Sequence, residues 1–244
     1  MDSVKRYFDF LAEKLSDAAT SQSNTIKEIA ELIVNAINHD GRFYVFGSGH
    51  SHMIAEELFT RAGGLVFVEA ILLPELMLHQ FPGKSTNIER LSGYAKAILD
   101  LYPIKENDVL LVVSNSGRNN VPIEMCLEAQ KRGAKVVALT SIKHSSQVAS
   151  RHHGGKNLYQ LADYVLDNQA ELGDASFEIE GAPAHVAGIS DFIGIALVQS
   201  LVVAISETMI KQGLTPPIIK SANVDGSSEY NKKIKEEFKK RHLK

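Results

Sequence analysis

The chain has no tryptophan and a single cysteine, Cys126. No internal disulfide can form, and nothing requires an oxidising compartment. Cys126 lies within the apolar periodicity of a helix-like segment and is expected in the core rather than as a reactive thiol. No uninterrupted apolar run approaches the roughly 18 residues of a membrane span, and Met1 to Arg6 lacks the apolar core of a signal peptide. Charge of one sign is also missing. A net −3 leaves no electrostatic footprint for nucleic acid, and the Lys/Arg excess between Asn231 and Lys244 is expected to be a solvated helix end rather than a binding arm. These absences point to a cytoplasmic protein with neither membrane nor nucleic-acid partner. The 244 residues suffice to bury one substantial core.

What is present is organised around Asp108 to Thr140. Val109-Leu110-Leu111-Val112-Val113 has no polar alternation, as expected of a strand covered on both faces in a parallel sheet. It breaks into Ser114-Asn115-Ser116-Gly117-Arg118-Asn119-Asn120, and Pro122 falls where a first helical turn tolerates it. The helix predicted next ends at Arg132-Gly133, and Val136 to Leu139 is a second buried strand. A polar loop at a helix N-terminus offers unpaired N–H groups and partial positive charge, which suit a phosphate. The layout recurs upstream. Arg42 to Phe46 reads as a strand ending in Gly47-Ser48-Gly49-His50-Ser51-His52, where glycines permit close backbone approach and hydroxyls can donate to phosphate oxygens.

Periodicity also predicts two N-terminal helices, residues 3–20 and 24–39, separated by the cap-rich Thr20 to Asn24. Further strands are expected at Leu65 to Val68 and Tyr164 to Leu166, a helix at Ile88 to Leu101, and a long apolar helix at Ile189 to Ile210. A long loop reaches Ala184, and a polar tail follows Pro217. The expected organisation is a single domain over 1–244: a helical extension (1–40), an α/β core (41–212) and a tail (213–244).

The two polar loops, with Ser150-Arg151-His152 and Ser221 to Gly226, resemble the sugar isomerase (SIS) domain family, and within it the UPF0309 group of phosphosugar isomerase-like proteins. The resemblance implies a flavodoxin-like three-layer α/β/α sandwich with a parallel five-stranded sheet. It also implies a phosphorylated sugar as ligand, an aldose–ketose isomerase as activity and no organic cofactor. Ser114, Ser116 and Asn119 would contact phosphate, with Ser48 and Ser51 on sugar or phosphate. Gly49, His50, Asn115, Gly117, Arg118, Thr140 and Ser141 complete the expected lining.

In phosphoheptose isomerases a string similar to Ala55-Glu56-Glu57-Leu58 supplies the base, here about one turn closer to the glycine loop. Glu57, with Glu56 beside it, is thus one candidate, against a solvated helix face on which Glu57 pairs with Arg61. His185 is the acid that the resemblance implies, against a capping role. His50 and His52 could bind zinc with Glu57 or His185, and His152, His153 and Lys156 could reach substrate. The resemblance and the apolar helices imply a homodimer or homotetramer. A non-catalytic phosphosugar sensor and a lyase or etherase stay open as alternatives.

Overall fold

The computed structural model describes residues 2–79 and 81–242. Helix α1 (Ser3–Asn38) leads into β1 (Phe43–Gly47), α2 (His52–Leu58), β2 (Val68–Ile71), α3 (Pro82–Ile88) and α4 (Tyr94–Leu99). Strand β3 (Val109–Val113), α5 (Asn120–Lys131), β4 (Lys135–Thr140), α6 (Ile142–Ser145) and β5 (Tyr164–Asp167) follow. A hairpin of β6 (Ala175–Phe177) and β7 (Val186–Gly188) precedes α7 (Ser190–Lys211) and α8 (Ser227–His242). The main sheet is parallel, with strand order β2-β1-β3-β4-β5.

Each central strand sends alternate side chains to opposite layers, as its pleat requires. Val109, Leu111 and Val113 pack with α1, α2 and α7, while Leu110 and Val112 pack with α4 and α5. Both faces are covered, which is why β3 is buried throughout. Helix α7 is long and apolar enough to cross a membrane (mean hydropathy 1.9). Here its Leu197 and Leu201 join Ile29 and Ile33 of α1 in the core under the sheet. Gly194 of α7 lets α2 approach closely, since a Cβ there would stand 2.5 Å from Ile54 Cδ1. Cys126 is fully buried, and that burial pushes its thiol up to about 12.

Four sequence expectations are corrected. The N-terminal pair is one continuous helix. Thr20 Oγ1 and Ser21 Oγ donate back to the carbonyls of Ser16 (2.9 Å) and Ala18 (3.4 Å) instead of capping. The buried Gln22 accepts from Asp167 N (3.0 Å), so contacts with β5 hold the would-be break helical. The second strand starts at Val68, because residues 63–66 hydrogen-bond with 217–219 instead of with β1.

The helix expected over 88–101 is split. Gly93 adopts φ +82°, and the buried Glu124 accepts from Ser92 Oγ (2.8 Å) and Gly93 N (2.7 Å), pinning the turn. The polar tail contains α8, anchored by Phe238 against Phe67 at 5.8 Å; residues 243 and 244 lie outside the described chain.

Candidate functional site

The order β2-β1-β3 means that the chain leaves β1 to one side and returns to pair on the other. The crevice between β1 and β3, outside their carboxyl ends, is where open α/β sheets bind ligands. Gly47 pairs with Val113, so the glycine loop and the serine loop start side by side. Gly47 is obligatory there, since a Cβ would stand 2.3 Å from the Ser51 carbonyl oxygen. Ser48 is buried, and a single 3-10 turn over Gly49–Ser51 delivers the chain into α2. His50 of that turn is exposed, with Gly49 and Ser51 half-buried.

The serine loop is held from beneath. Ser114 Oγ accepts from Gly117 N (3.3 Å), and Gly117 adopts φ +57° against Thr140, Ser145 and Leu158. The carbonyls of Gly117 and Arg118 accept from Leu158 N and Arg151 N, both at 2.8 Å. Ser116 is half-buried at the surface of the loop. Arg118 keeps a buried Nε–H without a partner among the described residues. A buried cationic donor with nothing to bond is costly.

A carboxylate that the sequence reading missed joins the two loops. Glu89 follows α3 and accepts from Ser48 Oγ (2.7 Å) on one oxygen and from Asn119 Nδ2 (2.6 Å) on the other. Burial pushes its pKa up from the ordinary value, while the Ser48 hydrogen bond, Arg90 and Arg151 oppose the shift. Asn119 in turn accepts from Arg151 Nη1 (2.6 Å). Desolvation pulls Arg151 below its ordinary value, with the guanidinium groups of Arg118 and Arg90 adding to the shift and Glu89 opposing it. Asp191 lies in the first turn of α7, within electrostatic reach of His50 and His52. Burial raises its pKa, with Asp174 adding to the shift and the two histidines opposing it.

The SIS domain model matches residues 6–141. A UPF0309 protein of Halalkalibacterium halodurans is 50% identical over 232 residues, covering 95% of this chain and 96% of its own length. The chain belongs to the SIS-domain family and, within it, to the UPF0309 group. A second UPF0309 protein, from Thermoanaerobacter pseudethanolicus, is 41% identical over 96% of this chain and 97% of its own. Two solved structures share the fold. The phosphoheptose isomerase of Francisella tularensis aligns with a TM-score of 0.57 at 19% identity, over 85% of this chain and 100% of that one. That of Neisseria gonorrhoeae aligns at 0.55 and 20% identity, over 84% and 97%.

In this SIS-domain chain, several residues expected in the site are engaged structurally. Thr140 Oγ1 donates to the Asn115 carbonyl (3.0 Å), and Ser141 Oγ donates to Ala170 O (2.6 Å) while capping α6 through His144 N (2.9 Å). The Thr140 hydroxyl thus braces the serine loop, while the Ser141 hydroxyl ties the start of α6 to the segment after β5. Asn115 lies 3.5 Å from His144 Nδ1 and accepts from Asn168 Nδ2 (3.1 Å). Burial lowers the His144 pKa, and Arg118 adds to the shift.

Glu57 is held from two sides, accepting from Gln199 Nε2 (2.8 Å) and pairing with Arg61. Gln199 is eight residues beyond Asp191, about 12 Å along α7, so the Glu57 carboxylate sits well below the loop edge. His185 does not open α7. It is exposed just before β7, and α7 begins at Ser190, where Asp174 accepts from Ser190 N (2.8 Å) and Ser190 Oγ (2.9 Å).

His152 is buried and accepts from Gly154 N (3.1 Å), so it shapes its own turn while Arg151 reaches the site. The site residues missed by sequence reading gave little signal. Asp191 was visible only as a polar interruption of an apolar helix, and Glu89 stood inside the helix expected over 88–101, with no motif to mark it.

Proposed function

We propose that this chain binds a phosphorylated sugar in the crevice between the glycine and serine loops and acts on it as an aldose–ketose isomerase. The observation that carries the reading is Glu89, a half-buried carboxylate of raised pKa that bridges Ser48 and Asn119, one side chain from each loop. The serine loop with the α5 N-terminus, and Arg118 with its unpartnered Nε–H, suit the phosphate. The sugar then lies toward Glu89 and the glycine loop.

Isomerisation removes a proton from the carbon beside the carbonyl and returns it one carbon away, while a proton moves between the two oxygens. A carboxylate whose pKa is raised by burial is a fitting base for the carbon proton, because it is a stronger base than an ordinary carboxylate. Ser48 and Asn119 hold it in place and can turn toward substrate oxygens. Glu57, braced by Gln199 and Arg61, then has a positioning role, and His185 contributes only where the exposed hairpin closes over the crevice. Val4 and Phe8 of α1 and Val203 and Ile210 of α7 are exposed apolar side chains, which supports assembly into a homodimer or larger.

The test is incubation with a panel of hexose and heptose phosphates in deuterium oxide, with binding followed by thermal shift. An isomerase binds at least one and incorporates deuterium beside its carbonyl. Binding without incorporation identifies a sensor, and a released fragment identifies a lyase. Absence of binding across the panel sinks the proposal.

A further inference from the structure

Arg90, Arg118 and Arg151 come from three segments, the turn after α3, the serine loop and the stretch after α6. Backbone contacts tie these segments together. Arg151 N donates to the Arg118 carbonyl (2.8 Å), Val121 N to the Glu89 carbonyl (2.9 Å), and Asn120 Nδ2 to the Arg90 carbonyl (2.7 Å). The three guanidinium groups lie within electrostatic reach of one another at Arg151. Arg42, Arg61 and Arg132 are each paired with a carboxylate. Among the described residues, none of the three crevice arginines has such a partner within 4.0 Å. The side chain of Arg151 spends one of its five N–H donors on Asn119, and both Arg90 and Arg151 are exposed.

Like charges gathered in this way repel, and a chain of net charge −3 does not bring them together by composition. They also act against the base. Arg90 and Arg151 oppose the rise that burial gives the Glu89 pKa, and a carboxylate of lower pKa takes a carbon proton less readily. An uncharged sugar end offers these guanidinium groups no partner. The phosphate is already served by the serine loop, the α5 N-terminus and Arg118. Set against Glu89, Arg90 and Arg151 leave one positive charge over, which a further acidic group on the ligand would balance. With that group seated on the guanidinium forks, their pull on Glu89 is offset and burial governs its strength as a base.

We propose, resting on the phosphosugar reading above, that Arg90 and Arg151 form a second anion subsite and that the ligand is a phosphosugar with a further acidic group, a carboxylate or a second phosphate. Guanidinium suits either, because its planar fork meets two oxygens at once. The single excess charge favours the carboxylate, which makes the substrate class a phosphorylated sugar acid. Asn119 couples this subsite to the base. Its Oδ1 accepts from Arg151 Nη1 and its Nδ2 donates to Glu89 Oε1, both at 2.6 Å. An anion that draws Arg151 toward itself therefore acts on the side chain that holds Glu89.

The test is calorimetric titration of the full-length protein with matched ligands at one fixed ionic strength. 6-Phosphogluconate differs from glucitol 6-phosphate only in a carboxylate for a hydroxymethyl group, and fructose 1,6-bisphosphate differs from fructose 6-phosphate only in its second phosphate. In at least one pair the more acidic member binds about 10–100-fold more tightly, the range for hydrogen bonds to a charged group. A preference confined to the first pair assigns the carboxylate, and one confined to the second assigns the phosphate. The ratio within a pair is what counts, because loss of positive charge weakens every anion. Arg90→Gln and Arg151→Gln each lower that ratio, and together they bring it to within about twofold of unity. Both side chains are exposed, so these substitutions spare the core. Arg132→Gln, which removes an arginine paired with Asp100, leaves the ratio unchanged. Three results overturn this inference alone: ratios near unity in wild type, ratios that survive the double variant, or no binding of the four by a protein that binds another sugar phosphate. No binding of any sugar phosphate overturns the phosphosugar reading as well.

Discussion

Two carboxylates, one fully buried and one half-buried, sit at opposite edges of the same sheet, and they differ in what holds them. Asp108, at the amino edge, is fully buried and accepts from the backbone N–H groups of Arg42 (2.8 Å) and Lys105 (2.9 Å). Glu89, at the carboxyl edge, accepts from the side chains of Ser48 and Asn119. Burial raises the pKa of both. Asp108 is tied to amides that cannot rotate away, so it fastens the start of β3 to the chain entering β1. Glu89 is tied to side chains that can turn, so its hydrogen bonds can be exchanged for those of a ligand. A raised pKa alone therefore does not separate a fastening carboxylate from a working one, whereas the mobility of its partners does.

The largest expected effect breaks the working half of the pair. Glu89→Gln lowers turnover by about 10²–10⁴-fold, the range for a lost general base, and leaves phosphosugar affinity within a few-fold in a direct binding assay. Next comes the fastening half. Asp108→Asn has one carboxamide oxygen for two N–H groups and leaves one buried donor unpaired, at a cost of about 1–3 kcal/mol. Thermal unfolding should show a Tm lower by about 5 °C, with turnover of the folded protein unchanged.

Glu57→Gln keeps the Gln199 hydrogen bond and loses only an exposed ion pair with Arg61, worth about 0.5 kcal/mol or less. Turnover within about tenfold of wild type is expected; a loss matching that of Glu89→Gln would move the base to Glu57. The smallest effect is a linkage. The folded chain binds the Glu89 proton more tightly than the unfolded chain, so this group's contribution is full below its unfolded value, about 4.3, and is lost as pH rises through the raised folded value. Glu89→Gln should accordingly unfold about 1–3 °C above wild type at pH 7, and the gain should vanish below about pH 4.

The parts of this architecture legible in the sequence are those dictated by local chemistry. Val109 to Val113 could only be a strand covered on both faces, and the glycine and serine loops announced themselves through residues that few other structures need. Misreadings came where distant contacts outweighed local preference. Thr20 and Ser21 are cap formers, yet β5 holds their helix continuous. Leu65 to Val68 is as apolar as a central strand, but residues 217–219 claim its first half. The helix α8 has little apolar periodicity to reveal it. Glu89 could not be singled out, because its burial between two loops depends on the split between α3 and α4, which Glu124 enforces from another helix.

The most direct test of the central claim is deuterium wash-in beside the carbonyl of a bound sugar phosphate, measured in parallel for wild type, Glu89→Gln and Glu57→Gln. The structure leads us to expect incorporation with wild type and Glu57→Gln and almost none with Glu89→Gln. Wild-type incorporation that persists undiminished in Glu89→Gln would contradict it.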